Sequence, residues 1–141
     1  MGQVNKYQKR ISGPLLDRID LYVDISPVKF EKLAGEKTGE DSQTIRKRVQ
    51  SARERQQKRF QNEEISTNSE MGVGEIEKYC PLDESAKDIL SQAMRQFQLS
   101  GRAFHRILKT ARTIADLNES ENMEVPHIAE ALQYRPKLSD V

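Results

Sequence analysis

The chain has 141 residues, of which 32% are charged and 35% hydrophobic, and its formal net charge is +1. This length allows one domain with a thin core, and the near-zero total excludes any partner argued from overall charge alone. A single cysteine, Cys80, excludes an internal disulfide and fits a reducing cytoplasm. The two histidines lack the cysteine company of a zinc site, and no apolar run reaches the roughly 20 residues of a membrane span.

Residues 5–18 predict one or two helical turns, broken at Ser12-Gly13-Pro14, with Pro14 suited to the first turn of a short helix. Leu21, Val23 and Ile25 alternate with Tyr22 and Asp24, which predicts one strand over 20–26, ended by Pro27. One strand makes no sheet. Either it pairs with another copy, or the rest of its sheet belongs to a larger protein. Met1-Gly2 fits the start of a fragment, since a myristoylation signal would need Ser or Thr where Lys6 stands. No signal peptide is expected.

Gly35 to Asp41 is a polar loop, and Ser42 is the expected N-cap of a helix reaching Gln61. Ile45, Val49, Ala52 and Phe60 give that helix a narrow apolar stripe, weakened by Gln56. Its other surface carries Arg46, Lys47, Arg48, Arg53, Arg55, Lys58 and Arg59 against a lone Glu54. Residues 62–74 predict a linker or mobile loop, and 74–79 a short helix. Asp83 caps a helix carrying Ala86, Ile89, Leu90, Ala93, Met94 and Phe97. Ser100-Gly101 starts another, with Ala103, Phe104, Ile107, Leu108, Ala111, Ile114 and Ala115 on its apolar face. Arg102, Arg106, Lys109, Thr113 and Asp116 lie opposite. Pro126 suits the first turn of a last helix, which ends before Pro136. From residue 42 onward the pattern predicts a four-helix bundle with short connections.

Chemistry is sparse. No Gly-x-x-x-x-Gly-Lys-[Ser/Thr] loop occurs, no strand ends in paired acids suited to magnesium, and no nucleophile has a supporting base. Two arginines stand out by setting. Arg18 lies at the mouth of the predicted strand, and Arg102 in the first turn of a helix. An arginine is electrostatically disfavoured at a helix start, where N–H groups already carry partial positive charge. Such a residue suits an anion, and guanidinium is planar, permanently charged and bidentate toward phosphate.

Three blocks in this order, YQKRISGPLLDRIDLYVDI (7–25), SGRAFHRILKTARTIADL (100–117) and HIAEALQYR (127–135), resemble the C-terminal part of a bacterial AAA+ ATPase. The family is the magnesium-chelatase-related one known as ComM or YifB. The resemblance implies that residues 1–30 are the end of the ATPase core, with a short helix and one strand left over from its α/β sheet. It implies an all-α helical bundle, the AAA+ lid domain, over 31–141. The family's Walker A and Walker B motifs precede the matching part, so ATP hydrolysis by this chain alone is not expected. ATP and Mg2+ are implied for the full-length protein, with neither expected bound to the fragment.

The same resemblance assigns roles. Arg18 becomes the arginine finger that reaches the nucleotide of a neighbouring subunit. Arg102 becomes the sensor-2 residue contacting the γ-phosphate, with Arg106 as its fallback. The resemblance also implies a cytoplasmic ring, a hexamer, acting on DNA in recombination or transformation, and not metal insertion into a porphyrin. In similar proteins the last helix often has Ser, Thr or Asp before its proline, where Val125 stands here, which weakens a cap. Without the resemblance, Arg18 is a partner for Asp17 or Asp20, and Arg102 is a solvated helix residue. Arg46, Arg48, Arg53, Lys58 and Arg59 are candidates to grip nucleic-acid phosphates, against the plainer reading of a solvated face. The rival reading of the whole chain is a stand-alone helical module that binds nucleic acid or an acidic partner through this basic helix. His105, His127 and Cys80 read as structural.

Overall fold

The computed structural model describes residues 18–28 and 39–135; the helical turns expected N-terminal to Arg18 lie outside the described residues. Five α-helices follow one another among the described residues: α1 (Ser42–Arg59), α2 (Val73–Tyr79), α3 (Glu84–Gln96), α4 (Gly101–Leu117) and α5 (Val125–Gln133), with a 3-10 turn at Asn68–Glu70. The chain is all-α among the described residues, as expected, with the short α2 added to the four longer helices.

Local chemistry fixes the helix ends. Asp41, not Ser42, caps α1: its carboxylate accepts the Thr44 N–H at 2.8 Å and the Thr44 hydroxyl at 3.2 Å. A carboxylate satisfies a free donor and also complements the positive helix start, an advantage over the next-door serine. The Thr44 backbone bond holds the Asp41 carboxyl below the usual range. Asp83 caps α3 through the Ala86 N–H at 2.7 Å, and Ser100 caps α4 through the Ala103 N–H at 3.2 Å. At α5 the N-cap is Glu124, not Val125 as expected, and Nδ1 of His127 accepts the Glu124 N–H at 3.0 Å. Helices α3 and α4 both close with six-to-one bonds, Leu99 N–H to Met94 O and Ser120 N–H to Ala115 O. These closures put Gln98 and Glu119 at φ 48° and 58°, where glycine is usual.

Helix α4 is the centre. It packs on α5, α1, α2 and the 3-10 turn, while α3 packs on α5. Leu90, Ile107, Leu108, Ala111, Ile114, Ala115, Ile128 and Leu132 form the core, closed by Phe60, Met71, Cys80 and Met123. A parallel bridge between Leu82 and Met123 ties the entry to α3 to the connection after α4. Phe60 meets Tyr79 edge-on with ring centroids 5.2 Å apart.

Several expectations change. No strand forms over 20–26 among the described residues: Tyr22 donates its N–H to the Tyr134 carbonyl at 2.9 Å, while Leu21, Val23 and Ile25 stay exposed. A ladder needs a neighbouring strand, and the described residues offer none. Residues 62–74 are not a loose linker, because Asn68 and Met71 are buried there. Gln56 does not weaken the inner stripe of α1; it is buried and its Oε1 accepts the Asn68 N–H at 3.0 Å. Ile45 and Val49 are exposed, as is every residue of 42–50, although Val49 borders a cleft shared with Thr113 and Leu117 of α4. Asp116, expected on the solvated face of α4, is wholly buried.

Candidate functional site

The N-terminal end of α4 and the extended segment 18–22 form one corner of the molecule. Ser100 fixes where α4 starts, and that start leaves Gly101 and Arg102 exposed in its first turn. Arg106 follows one turn later on the same face and donates from its terminal nitrogen to the Ile19 carbonyl at 2.6 Å. Its Nε is buried and has no partner among the described residues. Ile19 directly follows Arg18, so this bond reaches within one residue of Arg18 and one turn of Arg102. The Tyr22 to Tyr134 bond holds the same segment to the end of α5.

Arg18 is exposed, and among the described residues it forms no ion pair with Asp20. Asp17, its other sequence-based partner, lies outside the described residues. Two clefts flank this 18–22 strap, and Asp20 and Arg106 line both. The one toward α3 and α5, of roughly 260 Å³, also takes in Ser100, Ala103 and Arg135. Arg135 is itself occupied, stacked 3.5 Å above the Phe97 ring and bonded to the Leu132 carbonyl.

Arg18 and Arg102 offer exposed, permanently charged, bidentate donors of the kind that suit phosphate oxygens. No group of three or more His, Cys, Asp or Glu among the described residues could hold a metal.

The basic face of α1 divides in two. Arg46, Arg53 and Lys58 are exposed. Arg48 is exposed but paired with Glu40, through bonds of 2.9 and 3.0 Å. Arg59 turns inward, where its guanidinium meets both oxygens of Asp116 and donates to Asn68 Oδ1 at 2.9 Å. Its position in the last turn of α1, over the core beside Phe60, brings it against α4 instead of solvent.

Arg59 belongs to a buried polar knot that the sequence reading missed. Arg112 is buried and donates to Asp116 at 3.3 Å and to the Ser120 and Glu121 carbonyls at 2.8 Å each. Asn68 donates to Asp116 at 2.8 Å and to Thr113 at 3.1 Å. Burial pulls the Arg112 guanidinium below its ordinary pKa, opposed by the Asp116 charge. The one available signal was the spacing of Arg112 and Asp116, four apart on a helix and flanked by the core residues Ala111, Ile114 and Ala115. Cys80 is buried nearby, and burial pushes its thiol up to about 11. No helix among the described residues is long and apolar enough to cross a membrane.

Residues 39–135 match the family described as magnesium chelatase, subunit ChlI C-terminal, and residues 1–33 match magnesium chelatase, subunit ChlI. The competence protein ComM of Haemophilus influenzae is 40% identical over 135 residues, 94% of this chain and 26% of that protein. A protein named YifB from Salmonella typhimurium is 38% identical over 136 residues, with the same coverage of each. A Mycobacterium tuberculosis relative is 30% identical over 130 residues, 92% of this chain and 26% of its own. The chain thus spans about a quarter of the length of the curated relatives it matches.

Proposed function

The chain belongs to the magnesium chelatase ChlI C-terminal family, and on that premise we propose that it is the lid end of a ring-forming AAA+ ATPase. In this reading Arg102 binds the γ-phosphate as sensor 2, and Arg18 reaches the nucleotide of the neighbouring subunit as the arginine finger. The observation that carries it is Arg102, exposed in the first turn of a Ser100-capped helix whose next turn is bonded to the segment of Arg18. The cap sets the helix start and hence the direction in which Arg102 leaves it. Bound ATP supplies the phosphoryl group that passes to water. The two guanidinium groups contribute fixed positive charge where negative charge develops, and they need no proton transfer to do so.

The ring, taken as a hexamer, its cytoplasmic setting and its use of Mg2+ and ATP belong to the same proposal. So does DNA processing; the Haemophilus relative is named a competence protein. The test uses the full-length protein. Arg18→Ala and Arg102→Ala should each lower steady-state ATP turnover by at least about a hundredfold with the fold retained. Turnover that survives both changes would remove the motor reading of these residues.

A second reading is favoured by one observation: every residue of 42–50 in α1 is exposed, and Arg46, Lys47 and Arg53 are exposed along the helix. This basic arm suits the phosphates of DNA as a contact made by the lid itself. Arg48, paired with Glu40, and Arg59, held by Asp116, contribute less. Binding of this chain to duplex DNA that weakens steeply with salt, and that Arg46→Ala with Arg53→Ala abolishes, would support it. Absence of binding at low salt would dismiss it.

A further inference from the structure

Resting on the reading above, we propose that Arg106 is a positioning residue and not a second phosphate ligand: it clamps the Arg18 segment onto the helix that carries Arg102. Three observations lead there. Its terminal nitrogen is already committed to the Ile19 carbonyl at 2.6 Å, a charge-assisted bond to backbone. Its Nε is buried, so that edge of the guanidinium does not face a solvent-borne anion. Its place is between the two clefts that flank the strap, with Asp20 on the wall of both.

The consequence is mechanical. Segment 18–22 has no sheet hydrogen bonds among the described residues that would fix it. Among the described residues it is bonded to the bundle by Arg106 to Ile19 and by Tyr22 to Tyr134. A shift of α4 that follows a contact at Arg102 is therefore passed to Arg18 through a side chain one turn away. Cutting the clamp leaves Arg102 able to bind phosphate and leaves Arg18 chemically intact, but loosens the relation between them, which then rests on the Tyr22 bond.

The test uses full-length protein with Arg106→Ala, Arg106→Lys and Tyr22→Pro. Lysine keeps one charged donor for the carbonyl and sheds the buried Nε–H; proline deletes the second strap without touching a charge. Arg106→Ala is expected to lower kcat by about tenfold while KM for ATP moves less than about twofold, the range expected of a lost coupling. Arg106→Lys is expected to restore most of that kcat, and Tyr22→Pro to lower it in the same pattern. Tyr22→Pro carries the test should Arg106→Ala fail to assemble. Unchanged kcat in Arg106→Ala and Tyr22→Pro would overturn the proposal. So would a rise in KM matching that of Arg102→Ala with no rescue by lysine, which would make Arg106 a phosphate ligand. Failure of the ATPase reading is distinct, because there Arg18→Ala and Arg102→Ala would themselves leave turnover intact.

Discussion

Arg59 and Arg112 meet at one carboxylate inside the bundle, whereas Arg18 and Arg102 stand in solvent at the start of α4. The two pairs carry the same group with opposite surroundings. Asp116 has no exposed surface, and its two guanidinium partners, with Asn68 and Gln56 behind them, join α1, the 3-10 turn and the loop after α4. The outer pair makes no such bonds among the described residues. The difference separates two uses of arginine: a buried one must find its partners inside the fold, while an exposed one is available to a ligand the fold does not contain.

The comparison is broken most severely at Asp116. Asp116→Ala leaves two guanidinium groups without their shared carboxylate, and it should cost about 3–5 kcal/mol in denaturant unfolding of this chain. A loss under about 1 kcal/mol would mean the knot is well solvated after all. Next comes the cap at the outer corner. Ser100→Ala should cost about 1 kcal/mol and, in the full-length protein, lower ATP turnover by loosening the helix start that aims Arg102. Arg102→Ala should change stability by no more than about 0.5 kcal/mol, since an exposed side chain without internal partners supports nothing in the fold. A larger loss would move Arg102 into the structural class.

Cys80 sharpens the inner side of the comparison. The charges of Arg112 and Arg59 favour its thiolate, yet burial outweighs them and raises its pKa from the ordinary 9.0 to about 11. Because the folded value is the higher one, the stabilisation from this group is complete below the unfolded pKa and is lost as pH rises from about 9 through about 11. Alkylation of Cys80 near about pH 8 should track unfolding and proceed far more slowly than in denaturant. Equal rates in the two conditions would contradict its burial.

Much of the bundle was legible because its signals are local. Asp83 and Ser100 announce their helices by a side chain reaching a backbone N–H three residues on, and the apolar period of α4 marks the central face. The family could be read from three blocks of residues, and the matched families bear it out. What escaped is long-range or competitive. Asp41 took the α1 cap from Ser42 by having the better acceptor. Asp116 and Gln56 look like surface residues in a one-dimensional pattern, and only a partner 57 residues away, Arg59, or 12 residues away, Asn68, explains their burial. The alternation over 20–26 is a genuine strand pattern, but a ladder depends on a second strand and not on local sequence. Arg18 and Arg102 were readable as candidates, while the Arg106 bond that relates them is a contact across 87 residues.

The most direct measurement takes Arg102→Ala and Asp116→Ala through two assays, denaturant unfolding of this chain and ATP turnover by the full-length protein. Arg102→Ala should unfold with the parent and lose turnover by at least about a hundredfold, while Asp116→Ala should lose several kcal/mol of stability, about 3–5. An Arg102→Ala protein that hydrolyses ATP at the parent rate would contradict the assignment of the outward arginines to phosphate.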